Sequence, residues 1–119
     1  MSEIISEKLE QYIENHTSEE SEVLKDLDRN THLTELRPRM LSGKVQGRFL
    51  SLMSKMIQPE RILEIGTFTG YSAICLAEGL KQNGQLITID INEERLSFVL
   101  DAIKDASFQD KIVCKIGEA

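Results

Sequence analysis

The fold of this chain is decided by one stretch, Arg61-Ile62-Leu63-Glu64-Ile65-Gly66-Thr67-Phe68-Thr69-Gly70-Tyr71-Ser72. Residues 61–65 form a short apolar run between a proline and a glycine, which favours a buried parallel strand. Apolar residues then recur at helical spacing at Ala73, Ile74, Ala77 and Leu80. The stretch therefore predicts a strand, a tight turn and a helix, with free backbone N–H groups of the turn aimed at whatever lies above the strand.

The composition of the turn indicates its ligand. Gly66 permits positive φ and leaves no Cβ between the main chain and a ligand, and Gly70 can do the same at the helix start. The Glu64 carboxylate ends the strand, where ligands of open α/β sheets bind, and it attracts a cation. A dinucleotide-binding turn would have glycine where Phe68 and Tyr71 stand. The turn thus suits S-adenosylmethionine, with its ammonium and sulfonium groups, better than a nicotinamide dinucleotide, the weaker alternative.

A second acid follows the next strand. The run Gln85-Leu86-Ile87-Thr88-Ile89-Asp90 predicts another buried strand and places Asp90 twenty residues beyond Gly70. A carboxylate about 20 residues past the glycine turn is the usual partner of ribose hydroxyls. The alternative role for Asp90 is a cap for the following helix, although Asn92 is better placed for that. We therefore predict that Asp90 is the ribose ligand.

Length and charge bound the function. The 119 residues are enough for one domain, and 14 Lys and Arg against 20 Asp and Glu give a net charge of −6 without a basic patch for nucleic acid. Neither a signal peptide nor a membrane-spanning run is present in the sequence, so we expect a soluble, cytoplasmic protein. Cys75 and Cys114 lie among apolar neighbours, which predicts reduced core residues.

Helical patterns precede the central stretch. Residues 3–16 predict an amphipathic helix with Ile5, Leu9, Tyr12 and Ile13 on one face, and a capping box from Thr17 to Glu20 predicts the start of a second helix. A loop around Pro38 follows. Ser42 is predicted to cap a third helix, whose apolar face comprises Val45, Phe49, Leu52, Met53 and Met56.

The order of elements predicts the sheet. A β-α-β-α-β unit with right-handed crossovers gives three parallel strands in the order 3-2-1, the third of them at residues 111–116. The first strand would then be an exposed apolar edge. We expect either that the 119 residues are part of a longer chain or that two copies pair at this edge.

Two segments carry a resemblance to a known family. Met40-Leu41-Ser42-Gly43-Lys44-Val45-Gln46-Gly47-Arg48-Phe49-Leu50 and then Leu63-Glu64-Ile65-Gly66-Thr67-Phe68-Thr69-Gly70-Tyr71-Ser72 resemble the cation-dependent O-methyltransferases of the caffeoyl-CoA and catechol type. The resemblance extends from Met40 to Ala119. It implies a partial Rossmann-like, class I methyltransferase α/β fold, with residues 1–39 as a helical arm and residues 40–119 as the N-terminal half of the domain that binds S-adenosylmethionine.

The resemblance also implies roles for single residues. Glu64 and Gly66 match the turn that holds the methionine part of the cofactor, and Ser72 matches a residue that bonds its carboxylate end. Met40 and Ser42 match a lid beside the methyl group, Asp90 the ribose acid, and Gly117, Glu118 and Ala119 the loop beside the adenine. The full predicted cofactor-binding set is Met40, Ser42, Glu64, Gly66, Phe68, Gly70, Tyr71, Ser72, Asp90, Gly117 and Ala119. Packing of the turn is an equally good role for Tyr71.

Other parts of a family site are expected outside this chain. The resemblance implies a small-molecule hydroxyl acceptor and Mg²⁺ or another divalent cation, whose ligands, like the lysine base, are expected beyond Ala119. We therefore predict no catalytic or metal-binding residue within the 119 residues, and no turnover by the chain alone. The remaining alternatives are a non-catalytic cofactor-binding or dimerisation module and a relative of the tRNA hydroxyuridine methyltransferases.

Overall fold

Within residues 5–119, three α-helices are followed by strands and α-helices that alternate as expected for an α/β protein. The computed structural model describes residues 5–119, so residues 1–4, which include the start of the predicted first helix, lie outside the described part. The helices are α1 (Glu7–Asn15), α2 (Glu22–Thr34), α3 (Gly43–Ile57), α4 (Tyr71–Ala77) and α5 (Leu96–Asp105), and the strands are β1 (Arg61–Ile65), β2 (Gln85–Asp90) and β3 (Ile112–Ile116).

The sheet has the predicted topology. Its three strands are parallel, with β2 in the middle and β1 at one edge. The register places Glu64 beside Thr88, and Thr88 beside Cys114. Because side chains alternate between the faces of a strand, these three residues form one row on the same face of the sheet. The predicted 3-2-1 order and the edge position of β1 are confirmed.

The two faces of the sheet differ in exposure. One face packs against α4 and α5, with Leu86, Ala73, Ile74, Val99 and Ile103 in the core cluster. On the other face of β1, Leu63 and Ile65 are 65% and 67% exposed. The prediction that β1 is a buried strand is therefore wrong for one of its faces, because none of the elements among residues 5–119 covers it.

Helix α3 packs through small residues. Gly47, Ser51 and Ser54 are its buried residues, and they allow α3 to approach α4 closely. The predicted apolar face of α3 points away from this contact: Phe49 is 58% exposed and Met56 is 72% exposed. The periodicity identified the helix correctly, but the face that packs was predicted wrongly. Ser42 has helical dihedral angles and makes no capping hydrogen bond, so its predicted capping role is also wrong.

The N-terminal helices pack unequally. Helix α2 buries Leu24 and Leu27, whereas α1 buries none of its residues. Ser21 caps α2 by accepting a hydrogen bond from the Leu24 backbone N–H at 3.3 Å. The predicted Thr17–Glu20 capping box is therefore four residues too early, since α2 begins at Glu22.

Both cysteines are free thiols, as predicted. Cys75 lies in the core, where burial raises its pKa to about 12. The pKa of Cys114 is raised by burial and then by the nearby Glu64 charge.

Among residues 5–119, no helix has the length and apolar character that crossing a membrane requires.

Candidate cofactor-binding site

Most of the predicted site residues lie at the carboxyl ends of the parallel strands. A cavity of about 150 Å³ opens above the turn between β1 and α4. It is lined by Met40, Leu41, Ser42, Gly66, Thr67, Phe68, Thr69, Tyr71 and Ser72. This is the position at which ligands of open α/β sheets bind. Gly66 has φ +98°, and a Cβ added there would meet no atom within 4 Å, so space above the turn is open to a ligand.

Two hydroxyl groups hold Glu64 near the end of β1, and one of them belongs to Ser72, which lines this cavity. The Ser72 hydroxyl donates to Oε2 of Glu64 at 2.6 Å, and the Thr88 hydroxyl donates to Oε1 at 2.7 Å. Burial raises the pKa of Glu64; these two hydrogen bonds oppose the rise, and the charge of Asp90 adds to it. A carboxylate offers about four acceptor positions, so two remain for a cationic ligand.

Asp90 closes the turn from the end of β2. Its Oδ2 accepts the backbone N–H groups of Thr67 and Phe68, each at 3.0 Å, and its Oδ1 accepts that of Asn92 at 3.0 Å. Burial raises the pKa of Asp90, but the three hydrogen bonds and the Arg95 charge outweigh it, and the net pKa is lowered. The ionised Asp90 therefore stabilises the fold at pH values above its ordinary pKa of 3.8. This contribution is lost as the pH falls through the lower pKa that Asp90 has in the folded chain.

The turn amides are already bonded within the chain. Gly66 donates to the Ile89 carbonyl at 2.7 Å, and Gly70 donates to the Thr67 carbonyl at 3.0 Å. Together with the two amides that Asp90 accepts, four of the predicted free N–H groups have partners, and that prediction is wrong for them. Because a carboxylate of the protein occupies the place where these amides would meet an anion, the turn is unsuited to a pyrophosphate.

Phe68 and Arg95 hold the outer side of the turn. Phe68 has φ +49°, an uncommon angle for a residue with a side chain. The Arg95 guanidinium lies 4.9 Å from the centroid of the Phe68 ring, within cation–π range, and its Nε donates to Glu35 at 2.8 Å. Arg95 thus connects the end of α2 to the turn.

The remaining predicted site residues are placed as follows. Met40 is 62% exposed at the mouth of the cavity, beside Ser42. The Tyr71 ring is buried and its hydroxyl donates to Glu20, so packing accounts for Tyr71, although it also lines the cavity. The Gly117 N–H donates to the Asp90 carbonyl at 2.9 Å, which ties the loop after β3 to the end of β2. Ala119 is exposed two residues further along.

Sequence reasoning missed the polar residues that support the two acids. Thr88 was treated only as part of an apolar strand, yet it is fully buried and bonded to Glu64. Thr67 bonds Thr88, and Arg95 contacts Phe68. A signal for Thr88 existed, because a threonine two residues before Asp90 must share its face of the strand. Arg95 could not be placed, since its partner Glu35 is 60 residues away in the chain.

Within the described residues 5–119, the side chains form no group of three or more His, Cys, Asp or Glu that could hold a metal ion. The two acids of the site instead have hydroxyl and amide partners. The described residues therefore do not fit a divalent cation.

Fold and site together define a class of protein. A glycine turn after the first strand of a parallel sheet, with an acid at the end of each of the first two strands, is a cofactor-binding α/β unit. The O-methyltransferase family model matches residues 14–119. The chain belongs to this O-methyltransferase family, which confirms the resemblance to the caffeoyl-CoA type.

Individual relatives agree with this assignment. A caffeoyl-CoA O-methyltransferase from Stellaria longipes is 35% identical over 118 residues, an alignment that covers 96% of this chain and 48% of that protein. An O-methyltransferase from Bacillus cereus, solved in complex with S-adenosylhomocysteine, superposes with a TM-score of 0.84 at 28% identity, over 93% of this chain and 50% of that one. TomG from Streptomyces achromogenes, an O-methyltransferase solved with S-adenosylmethionine, superposes with a TM-score of 0.82 at 29% identity, over 93% of this chain and 49% of that one. The chain thus spans about half the length of these relatives.

Proposed function

We propose that residues 40–119 form the donor-binding half of an S-adenosylmethionine-dependent O-methyltransferase, with residues 1–39 as a helical arm. The arrangement of Glu64 and Asp90 carries the proposal: two acids flank an open glycine turn whose amides are already bonded. A cationic cofactor with a ribose suits this site, whereas a pyrophosphate does not. The Bacillus cereus and Streptomyces relatives, solved with S-adenosylhomocysteine and S-adenosylmethionine, support the proposal.

In the proposed reaction, the chain binds and orients the donor. When bound, S-adenosylmethionine supplies an electrophilic methyl group on a sulfonium. Glu64 attracts the ammonium of the methionine part, and the acceptor position that remains on Oδ1 of Asp90 accepts a ribose hydroxyl. Met40 lies at the mouth of the cavity, where its apolar side chain excludes water from the methyl group. Holding the donor in line with an oxygen nucleophile is a positioning effect that lowers the barrier to methyl transfer.

Calorimetric titration of the 119-residue chain with S-adenosylhomocysteine tests the proposal, and we expect saturable binding. Asp90→Ala should weaken it at least about 100-fold, because it removes the ribose ligand together with the acceptor of the Thr67 and Phe68 amides. Asp101→Ala, an exposed acid on α5, is the matched control and should leave the affinity unchanged. Absence of binding by the wild-type chain, or binding of NADH in its place, would contradict a donor site.

The proposed function also includes an acceptor for the methyl group and a divalent cation. We propose a small-molecule hydroxyl as acceptor, by analogy with the caffeoyl-CoA relatives, and the net charge of −6 disfavours RNA. A divalent cation would have to be held by residues other than the described ones, which fit no metal.

Association of two copies is the second proposal, and it rests on exposed apolar surface. Strand β1 is an open edge, and its residue Leu63 is 65% exposed. We expect sedimentation over a wide concentration range to show a dimer. Leu63→Lys should shift the protein toward monomer, since a charge on an edge strand opposes pairing, whereas Leu36→Lys, at a fully exposed loop position, should not. A monodisperse wild-type monomer at every concentration would rule the pairing out.

A further inference from the structure

Beneath the proposed donor site, hydroxyl groups connect three elements in a continuous series. Ser72 at the start of α4 donates to one oxygen of Glu64, and Thr88 on β2 donates to the other. The Thr88 hydroxyl lies 2.6 Å from that of Thr67 in the glycine turn. Thr88 is 0% exposed and Thr67 is 6% exposed. Water therefore has little access to the part of the series that links Glu64 to the turn.

The direction of these hydrogen bonds follows from proton counting. A threonine hydroxyl has one proton to donate. The Thr88 hydroxyl donates its one hydrogen bond to Glu64, so Thr67 must be the donor in the hydrogen bond between the two threonines. The series then runs from Thr67 through Thr88 to the Glu64 carboxylate, and each bond polarises the next. An ionised Glu64 can only accept hydrogen bonds, so it enforces this direction, and the ionised form is also the one that binds a cationic ligand.

We propose that Thr88 is a positioning residue of the donor site: its hydroxyl fixes the orientation of the Glu64 carboxylate and ties it, through Thr67, to the glycine turn. The expected effect of Thr88 on ligand binding rests on the proposed function. Its expected effect on the ionisation of Glu64 does not. Register supports it, because Glu64 and Thr88 are direct neighbours on adjacent strands. The backbone therefore places the two side chains next to each other on one face of the sheet.

Other charges near Glu64 do not replace this contact. The groups that face it are Asp90, whose charge raises the pKa of Glu64, and Cys114, the next residue in the row across the sheet. Neither is a cation. Within the described residues, the groups that stabilise the ionised Glu64 are the two hydroxyls of Ser72 and Thr88. Loss of the Thr88 hydroxyl should therefore raise the pKa of Glu64 further.

Two measurements on Thr88→Val and Thr88→Ser test the proposal. Carbon NMR follows the ionisation of the Glu64 carboxyl with pH in the ligand-free protein, and calorimetry follows S-adenosylhomocysteine affinity between about pH 4 and pH 8. For Thr88→Val we expect a higher pKa of Glu64, roughly tenfold weaker binding at neutral pH, and an upward shift in the midpoint of the binding profile. Thr88→Ser, which keeps the hydroxyl, should restore all three.

Two further variants keep the test decisive. In Thr88→Val the Thr67 hydroxyl would stay buried without an acceptor. The double variant Thr67→Val/Thr88→Val removes that hydroxyl as well, and it should show the same rise in the pKa of Glu64. Ser54→Ala deletes a buried hydroxyl that bonds the Leu76 carbonyl, away from the site, and should change neither readout. An unchanged Glu64 titration in Thr88→Val, or failure of Thr88→Ser to restore it, would overturn the proposal. If the wild-type chain does not bind the ligand, the donor-site proposal fails, while the titration still decides the role of Thr88.

Discussion

Glu64→Gln is expected to weaken S-adenosylhomocysteine binding by more than about 100-fold while leaving the fold intact. The substitution keeps the shape of the side chain and removes its charge. A buried or half-buried charge pair loses about 3 kcal/mol or more when one partner is neutralised, which corresponds to the stated loss of affinity. In the proposed site the lost partner is the carboxylate that meets the ammonium of the ligand.

Although Glu64→Gln should lose affinity, its stability at neutral pH should stay the same or increase. Because burial raises the pKa of Glu64 above its ordinary value of 4.5, the folded chain binds this proton more tightly than the unfolded chain does. Stability therefore falls as the pH rises through the window between the two values. Glutamine carries no charge, so above that window Glu64→Gln should be as stable as the wild type or more stable. Urea unfolding at neutral pH measures this difference.

Glu78→Gln is the matched control, since it makes the same chemical change away from the turn. Glu78 forms a doubly bonded ion pair with Arg48, at 3.0 and 3.1 Å, between side chains that are 18% and 13% exposed. Removing one partner of such a pair leaves an uncompensated charge and should cost about 3 kcal/mol of stability. Its ligand affinity should stay at the wild-type value. If both variants lose affinity and stability together, the loss reflects general damage, and Glu64 has no special role in the site.

Local signals in the sequence predicted the sheet and the turn. The bounds of β1 and β2 coincide with the predicted runs, and Gly66 and Gly70 have the positive φ expected of them. These features depend on residues that are neighbours in the chain: an apolar run, a proline before it and a glycine after it. For the same reason the strand order could be deduced, because right-handed crossovers leave one arrangement for a β-α-β-α-β unit.

Features set by contacts between distant residues could not be deduced. Nothing near Thr67 in the chain indicates that its amide is bonded by an acid 23 residues away. The packing face of α3 was missed for a related reason. Periodicity shows which side of a helix is apolar, but close packing on α4 depends on small residues such as Gly47, and these carry little hydrophobic signal. The exposed Phe49 marks the consequence.

The largest effect on stability is expected at Gly79, just after the end of α4, where the chain approaches the backbone of α3. A Cβ at this position would lie 2.2 Å from the Ser54 carbonyl carbon, 2.3 Å from the Ser54 hydroxyl and 2.4 Å from the Lys55 amide nitrogen. Two of these atoms belong to the backbone, so no rotation of a side chain relieves the clash and the two helices must separate. Gly79→Ala should therefore lower the free energy of unfolding by about 4 kcal/mol, a large part of the total stability of a small domain.

Two other glycines separate this steric effect from the general effect of replacing glycine. In Gly47→Ala the new Cβ would lie 2.7 Å from Tyr71 and 2.9 Å from Cys75, but these contacts are to side chains, which can move, so we expect a loss of about 2 kcal/mol. Gly43 has φ +80° and open space around it, so Gly43→Ala should lose only about 1 kcal/mol through backbone strain. Urea unfolding of the three variants should rank them in this order. If Gly79→Ala unfolds no more easily than Gly43→Ala, the close approach of α3 and α4 is absent, and Ser51 and Ser54 have no reason to be the residues that α3 buries.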